Sequence, residues 1–256
     1  MNRILSISLL FLVPFQLVWA QRTDVVFHSD FEKASFNKTE LKPFELLLAS
    51  DPTVDADKYI EFREDFLLGI NHMIDLKKRS KNDLLFLEKI FYKTHRKQLG
   101  WYQNYVSLSH TFESKKYDCL TGTALFALIL EEVGIEYQIL EFDFHIFLIA
   151  RPDGHNVLIE ATDPLNGFIS DQKEINHRIQ AALTSVEVDE KYAQTFIKNE
   201  IDLLALAGLQ YYNLAVDLFN RQEYKKASQF IKKADLLYTS ERIRNTKDLI
   251  SSSASL

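Results

Sequence analysis

The sequence predicts an α+β fold in which a buried helix packs on an antiparallel sheet, flanked by an N-terminal helical layer and a C-terminal helical hairpin. Apolar residues recur at helical spacing over residues 40–95 and again over 201–243. Between them, residues 135–162 form short runs rich in β-branched and aromatic side chains. An Asp-Gly pair at 153–154 separates two of these runs, which favours a hairpin and therefore antiparallel pairing.

Residues 1–20 have the pattern of an export signal peptide. Arg3 precedes an apolar run, and Val18 and Ala20 are the small residues that favour cleavage after position 20. The alternative is a retained anchor, but the run is shorter than the roughly 20 residues that a membrane span needs, and it contains Pro14. We therefore expect an exported bacterial protein, periplasmic or secreted, with no membrane span after signal cleavage.

The composition argues against several classes of protein. The 256 residues include 30 basic and 36 acidic ones, and the short basic pairs are interspersed with acids, so no basic stripe for nucleic acid is present. A single cysteine, Cys119, excludes an intramolecular disulfide. The sequence also lacks a glycine-rich phosphate loop, a serine nucleophile elbow and a zinc-binding histidine pair. We expect neither a cofactor nor a metal.

Residues 21–110 form a predicted N-terminal helical region. Polar connectors at 50–53 and 78–83 separate three apolar stripes with helical spacing and supply Ser or Asp as N-caps. The stripes are Phe44, Leu47 and Leu48, then Ile60, Phe62, Phe66, Leu67, Ile70, Met73 and Ile74, then Leu84, Leu85, Leu87, Ile90 and Phe91. We interpret His72 and His95 as ordinary helix residues.

Residues 111–200 form the predicted core, which begins with a helix from Cys119 to Val133. Asp118 can cap this helix, and Gly134 provides the left-handed residue that ends it. Apolar residues cover most sides of the helix, which places it in a core. At its N-terminus, unpaired N–H groups and the helix dipole favour a thiolate at Cys119 and provide donors to an oxyanion.

The sheet is predicted to bring a histidine and an acid together. Three extended runs follow the helix, at residues 135–141, 144–150 and 157–162. The Asp-Gly turn sets His145 opposite Thr162. Because side chains alternate along a strand, Glu160 then shares a face with His145, whereas Asp163 points to the other face. We assign the orienting carboxylate to Glu160, a choice that a one-residue bulge would reverse in favour of Asp163.

Cys119, His145 and an acid are the components of a cysteine nucleophile site. In this interpretation His145 takes the Cys119 proton, Glu160 orients the imidazole, and the thiolate attacks an acyl carbon, most simply an amide carbonyl. Water or an amine would then resolve the thioester, and the sequence leaves both outcomes open. The alternative is that Cys119 is a small buried hydrophobe, His145 a packed strand residue and Glu160 a surface acid.

At these residues the chain resembles the transglutaminase-like superfamily, which shares the Cys-His-acid arrangement of papain-like enzymes. The resemblance rests on Asp118-Cys119 at the start of an apolar helix, His145 at the head of a strand, and the acids of segment 157–164. It implies a papain-like core and a peptide or protein substrate. Cys119 would be the nucleophile, His145 the base and Glu160 the acid, where family members usually carry Asp.

The segment 163–167, Asp-Pro-Leu-Asn-Gly, is also similar to the Asp-Pro-Phe-Asn-Gly of a bacterial subfamily. That subfamily combines a helical N-terminal region, this core and C-terminal tetratricopeptide repeats. Aligning this chain with that subfamily would make Asp163 the acid. Because its members often lack the cysteine, the alternative function is a catalytically inactive module that binds a peptide or protein partner.

Residues 201–250 predict a helical hairpin with a turn at 220–223. Small residues stand where its two helices approach closely, at Ala215, Ala227 and Ala234. The spacing resembles one tetratricopeptide repeat, with Thr239 in place of the usual proline; an ordinary helical hairpin is the alternative. One repeat is not stable alone, so we expect the hairpin to pack on the catalytic region or to bind another protein chain. Residues 170–200 predict a mostly helical connector, and 251–256 predict disorder.

Overall fold

The computed structural model describes residues 25–143, 145–184 and 198–253, and it has an α+β fold with a five-stranded antiparallel sheet. Its helices are α1 (Asp30–Phe36), α2 (Pro43–Ala49), α3 (Ala56–Lys78), α4 (Asp83–Gln98), α5 (Ser109–Glu113), α6 (Cys119–Val133), α7 (Gln172–Thr184), α8 (Leu203–Asn220), α9 (Tyr224–Leu237) and α10 (Glu241–Ser253). Its strands are β1 (Trp101–Tyr102), β2 (Lys116–Tyr117), β3 (Tyr137–Phe142), β4 (Ile146–Ala150), β5 (Val157–Ile159), β6 (Phe168–Ile169) and β7 (Lys198–Ile201).

The predicted export signal, residues 1–20, lies outside the described residues. Within the described ranges, no helix is both long enough and apolar enough to cross a bilayer.

The main sheet has the strand order β6-β5-β4-β3-β7. In the β4–β5 hairpin, Leu148 pairs with Ile159 and Ala150 with Val157, which is the register that the Asp-Gly turn predicts. The turn residues 153 and 154 have φ values of 51° and 78°, the left-handed conformations that this turn requires. The predicted register is therefore confirmed, and no bulge exchanges the two faces.

Helix α6 is the central helix of the fold, and its predicted bounds are confirmed. It begins at Cys119 behind the N-cap Asp118 and ends at Val133, where Gly134 has φ 68°. Its side chains are buried on most sides because it packs on β3 and β4 on one side and against α3 and α8 on the others. A helix enclosed in this way holds its first residue at a fixed place relative to the sheet.

Several elements were not predicted by the local pattern, and three of them extend the core or the sheet. Helix α1 precedes the first apolar stripe, and β7 extends the edge of the sheet within the predicted connector. Helix α10 runs to Ser253, so the prediction of disorder from position 251 is wrong for residues 251–253. This helix is stable because Ile243 and Ile250 are fully buried in the core next to α9.

The predicted C-terminal hairpin is present as α8 and α9, and it packs on the rest of the molecule. A single buried hydrophobic cluster contains residues from the N-terminal helices, from α6, from the sheet and from the hairpin, among them Leu47, Phe91, Phe126, Leu148 and Leu206. The hairpin is thus part of the main core, which places α8 beside the N-terminus of α6.

Candidate functional site

A cleft of about 320 Å³ is lined by both Cys119 and His145. Three parts of the chain form its walls: the loop after β1, the ends of α6, β3 and β4, and the C-terminal helices α8 and α10. The lining residues are Tyr102, Asn104, Tyr105, Asp118, Cys119, Leu120, Glu141, Asp143, His145, Ile146, Leu209, Tyr212, Asn213, Val216 and Arg242. The nucleophile and base predicted from sequence therefore share one cavity.

A capping box fixes the first turn of α6, where Cys119 lies. The buried Asp118 carboxylate accepts hydrogen bonds from the Thr121 N–H at 2.8 Å and the Thr121 hydroxyl at 2.9 Å. The same hydroxyl accepts from the Asp118 N–H at 2.9 Å. These reciprocal bonds satisfy donors that the helix itself leaves unpaired, so the thiol projects from an ordered helix start.

The acidity of Cys119 differs from the sequence-based expectation. Although part of the residue reaches the cleft surface, burial raises the pKa of the Cys119 thiol to about 12, and the negative charges of Asp118 and Glu160 act in the same direction. Backbone N–H groups at Leu120 and Cys119 oppose this shift without outweighing it. The N–H groups of the helix start thus act in the predicted direction, but burial and the charges of Asp118 and Glu160 outweigh them, so the net pKa is raised. The thiol is neutral at pH 7.

Glu160 is hydrogen bonded to His145, as the hairpin register predicts. Its Oε2 contacts the His145 Nε2, and its Oε1 accepts from the N–H (3.1 Å) and the hydroxyl (2.6 Å) of Thr162. Burial alone would raise the pKa of Glu160, but the bonds from His145 and Thr162 outweigh burial and hold that pKa below its ordinary value. Because an ionised carboxylate only accepts, Nε2 carries the imidazole proton, and Nδ1 is left as the proton acceptor.

Asp163 lies in the same loop but does not join this hydrogen-bonded pair. Its carboxylate accepts from the N–H groups of Asn166 at 2.9 Å and Leu165 at 3.3 Å, and it lies 3.9 Å from Arg178. Asp163 therefore shapes the turn that follows Glu160, and of the two candidate acids only Glu160 contacts the imidazole.

Gly167 closes the loop that carries Glu160. The Glu160 N–H donates to the Gly167 carbonyl at 2.8 Å, and the Gly167 N–H donates to the Asp163 carbonyl at 2.8 Å. A Cβ atom at Gly167 would overlap the carbonyl oxygens of Glu160 and Asp163. Only glycine allows the two backbone segments to approach this closely, and this approach fixes the backbone position from which the Glu160 side chain extends.

Arg242 is a site residue that the sequence pattern did not single out. From α10, its Nη2 donates to the carbonyl oxygens of Phe142 at 2.7 Å and Asp143 at 2.8 Å, in the turn just before His145. The Phe142 N–H closes the same turn by donating to the His145 carbonyl at 2.8 Å. The last described helix thus holds the turn that precedes His145. No local signal reports this contact, because Phe142 and Arg242 are 100 positions apart.

Glu141 extends this support beneath the turn. It is buried, and its Oε2 accepts from the Tyr238 hydroxyl at 2.7 Å and the Asn199 amide at 3.0 Å, while its Oε1 lies 3.5 Å from Arg242. Strand β7 and the end of α9 therefore meet at one carboxylate below the cleft.

Aromatic residues form part of the rim of the cleft. Tyr102 and Tyr105 line it, and Trp101 is 73 % exposed beside them. The loop after β1 was not predicted as part of the site. The sequence does indicate it, because three aromatic residues lie within five consecutive positions of an otherwise polar segment. The cleft therefore combines a thiol, an imidazole and an aromatic rim.

No family model, no curated protein and no solved structure matches this chain. The site residues and their geometry are accordingly the basis for assigning a function.

Proposed function

We propose that this protein is an exported cysteine hydrolase or acyltransferase with a transglutaminase-like core, which acts on an amide bond of a peptide or protein. The observation that carries the proposal is that Cys119 and His145 line one cleft while a buried, ionised Glu160 binds Nε2 of the imidazole. Nucleophile, base and orienting acid in this order are the parts that acyl transfer requires.

The first half-reaction forms a thioester. As the Cys119 sulfur bonds to the substrate carbonyl carbon, its proton passes to His145 Nδ1, and Glu160 stabilises the resulting imidazolium. The C–N bond then breaks, and His145 returns the proton to the departing amine. Backbone N–H groups at the start of α6 are the available donors to the carbonyl oxygen as it gains negative charge.

The second half-reaction releases the acyl group. Water, or an amine in the case of transfer, gives a proton to His145 and attacks the thioester carbon. The C–S bond breaks, and the sulfur recovers its proton from the imidazolium. Because the resting thiol is neutral, this scheme uses His145 as a true general base rather than a preformed thiolate-imidazolium pair.

A second candidate function is a catalytically inactive module that binds a peptide or protein in the same cleft. The raised pKa of Cys119 favours this alternative, since a neutral buried thiol is a weak nucleophile. The C-terminal helices, which supply one wall of the cleft, would then serve to hold the partner.

Acylation by 4-nitrophenyl acetate separates the two candidates. We expect a burst of nitrophenolate and an acetyl group on Cys119, located by peptide mass spectrometry, in the wild-type protein. The burst rate should fall at least about a hundredfold in His145→Ala, the usual contribution of general-base catalysis. His155→Ala, which removes an exposed histidine, is the matched control and should react as the wild type does. Equal, slow acylation in wild type and His145→Ala would support the binding module.

A further inference from the structure

A second cavity, of about 770 Å³, lies beside the catalytic cleft. Helix α8 is a wall of both: Leu209, Asn213 and Val216 line the cleft, whereas Leu214 and Leu218 line the second cavity. Each set follows helical spacing, so the two sets are neighbouring stripes on one helix surface. Tyr105 lines both cavities and so stands at the boundary between them.

The wall of the second cavity combines an aromatic and aliphatic surface with charged side chains. Phe27 and Phe230 contribute rings, and the His28 ring stacks on Phe230 with 5.7 Å between centroids. Burial, together with the charge of Lys233, lowers the pKa of His28 to about 4, so this ring is neutral at pH 7. Leu214 and Leu218 complete the apolar surface.

Several charged residues at this cavity are already paired within the protein. Lys233 contacts both carboxylate oxygens of Glu32 at 2.8 Å, and Lys226 contacts Glu223 at 2.6 Å. Arg221 lies 3.2 Å from Asp217. A ligand group that bound these paired side chains would have to compete with their partners, whereas an apolar group gains buried surface without breaking any of the pairs.

The boundary between the cavities is held in place by a buried polar network. Tyr105 has φ 59°, a conformation that a residue other than glycine keeps only when its surroundings hold it. Just after it, the buried Ser107 hydroxyl bonds His110 Nδ1 at 2.9 Å, and the Ser109 hydroxyl donates to Asp51 at 2.5 Å. These bonds anchor the loop, so the two cavities are preformed side by side.

We propose that the second cavity binds an apolar side chain, preferably aromatic, of the same peptide whose acyl group reacts at Cys119. This inference rests on the proposed function. The shared wall at Tyr105 favours a single extended substrate over an unrelated ligand, because a peptide advances only about 3.3 Å per residue and can reach the next cavity within a few residues. The aromatic lining selects the side chain.

The test measures alkylation of Cys119 by chloroacetyl-Gly-Phe-amide, chloroacetyl-Gly-Ala-amide and iodoacetamide, followed by intact mass. We expect the Phe probe to react at least about tenfold faster than the Ala probe, the discrimination that one apolar pocket provides. Val26, which lines the cavity and is 62 % exposed, allows the cavity to be filled without changing the core. Val26→Trp should abolish the preference and leave the iodoacetamide rate unchanged.

Two controls accompany the filled variant. Leu68→Trp, at a remote position of α3 that is 63 % exposed, and Val26→Ala should both retain the preference for the Phe probe. Equal rates for the two peptide probes in wild type, with an iodoacetamide rate that depends on His145, would overturn this inference and leave the proposed function intact. An iodoacetamide rate independent of His145 would overturn the proposed function, and this inference with it.

Discussion

Asp118 has two opposite effects on the residue that follows it. Its carboxylate caps α6 and so orders the start of the helix, yet its negative charge raises the pKa of the Cys119 thiol. The cap requires only an acceptor oxygen, which asparagine provides about as well as aspartate. The charge can therefore be removed while the cap is kept.

Asp118→Asn should accordingly lower the pKa of Cys119. Below that pKa the alkylation rate follows the thiolate fraction, so the rate-versus-pH curve should move to lower pH, with a rise of about tenfold in rate for each unit of change. The measurement is the iodoacetamide rate between pH 7 and pH 10. Thr121→Val, which removes the reciprocal cap and keeps the charge, is the control and should not move the curve in this direction. An unchanged curve in Asp118→Asn would show that the charge of Asp118 does not contribute to this pKa, which burial and Glu160 would then set.

At the scale of single elements, α10 and the β3–β4 turn act together. Arg242 donates to two carbonyl oxygens of the turn, and a guanidinium fixes such a pair of acceptors better than an ammonium does. Arg242→Ala should leave His145 less well positioned, with a fall of about tenfold or more in the acylation rate of Cys119. The free energy of unfolding should fall by only about 1–2 kcal/mol. Urea unfolding therefore shows whether slower acylation comes from a misplaced His145 or from loss of the fold.

Arg242→Lys keeps the positive charge but lacks the planar guanidinium donors, so it is the comparison variant for Arg242→Ala. We expect it to recover only part of the acylation rate while its pH profile keeps the wild-type shape. A wild-type rate in Arg242→Ala would contradict the view that α10 positions the base.

The elements that sequence reasoning predicted are those set by local chemistry. The bounds of α6 follow from Asp118 and Gly134, and the β4–β5 register follows from the Asp-Gly turn, which in turn assigns Glu160 to His145. Contacts between segments that are remote in sequence have no such local motif from which they could be predicted. Strand β7 pairs with β3 across 56 to 62 positions, and Arg242 bonds Phe142 across 100. The net acidity of Cys119 likewise depends on its burial and on Glu160, neither of which the first turn of α6 reveals.

At the scale of the whole molecule, a buried ion pair connects the first and last parts of the described chain. Glu32 and Lys233 are 201 positions apart, and both side chains are almost completely inaccessible. The Lys233 ammonium also lies 4.8 Å from the centre of the Phe230 ring. Burial raises the pKa of Glu32 and lowers that of Lys233, and each partner's charge opposes the shift.

Lys233→Met should destabilise the protein by about 3–5 kcal/mol, because it leaves a buried carboxylate without its cation. The double variant Glu32→Leu/Lys233→Met removes both charges and should recover most of that loss. Urea unfolding at pH 7 measures both values. A double variant as unstable as the single one would mean that the packing of the lysine stem, rather than the unpaired charge, causes the loss.

The support of the His145 turn by Arg242 also has a consequence for the order of events during synthesis. The ribosome must add about a hundred residues after the turn before Arg242 is present to bind it, which takes on the order of 5–20 s at ordinary elongation rates. During that interval the growing chain already carries the thiol and the imidazole, but not the helix that holds the imidazole in place. We therefore expect nascent chains arrested before residue 242 to react with acyl donors at least about tenfold more slowly than chains that include the helix carrying Arg242.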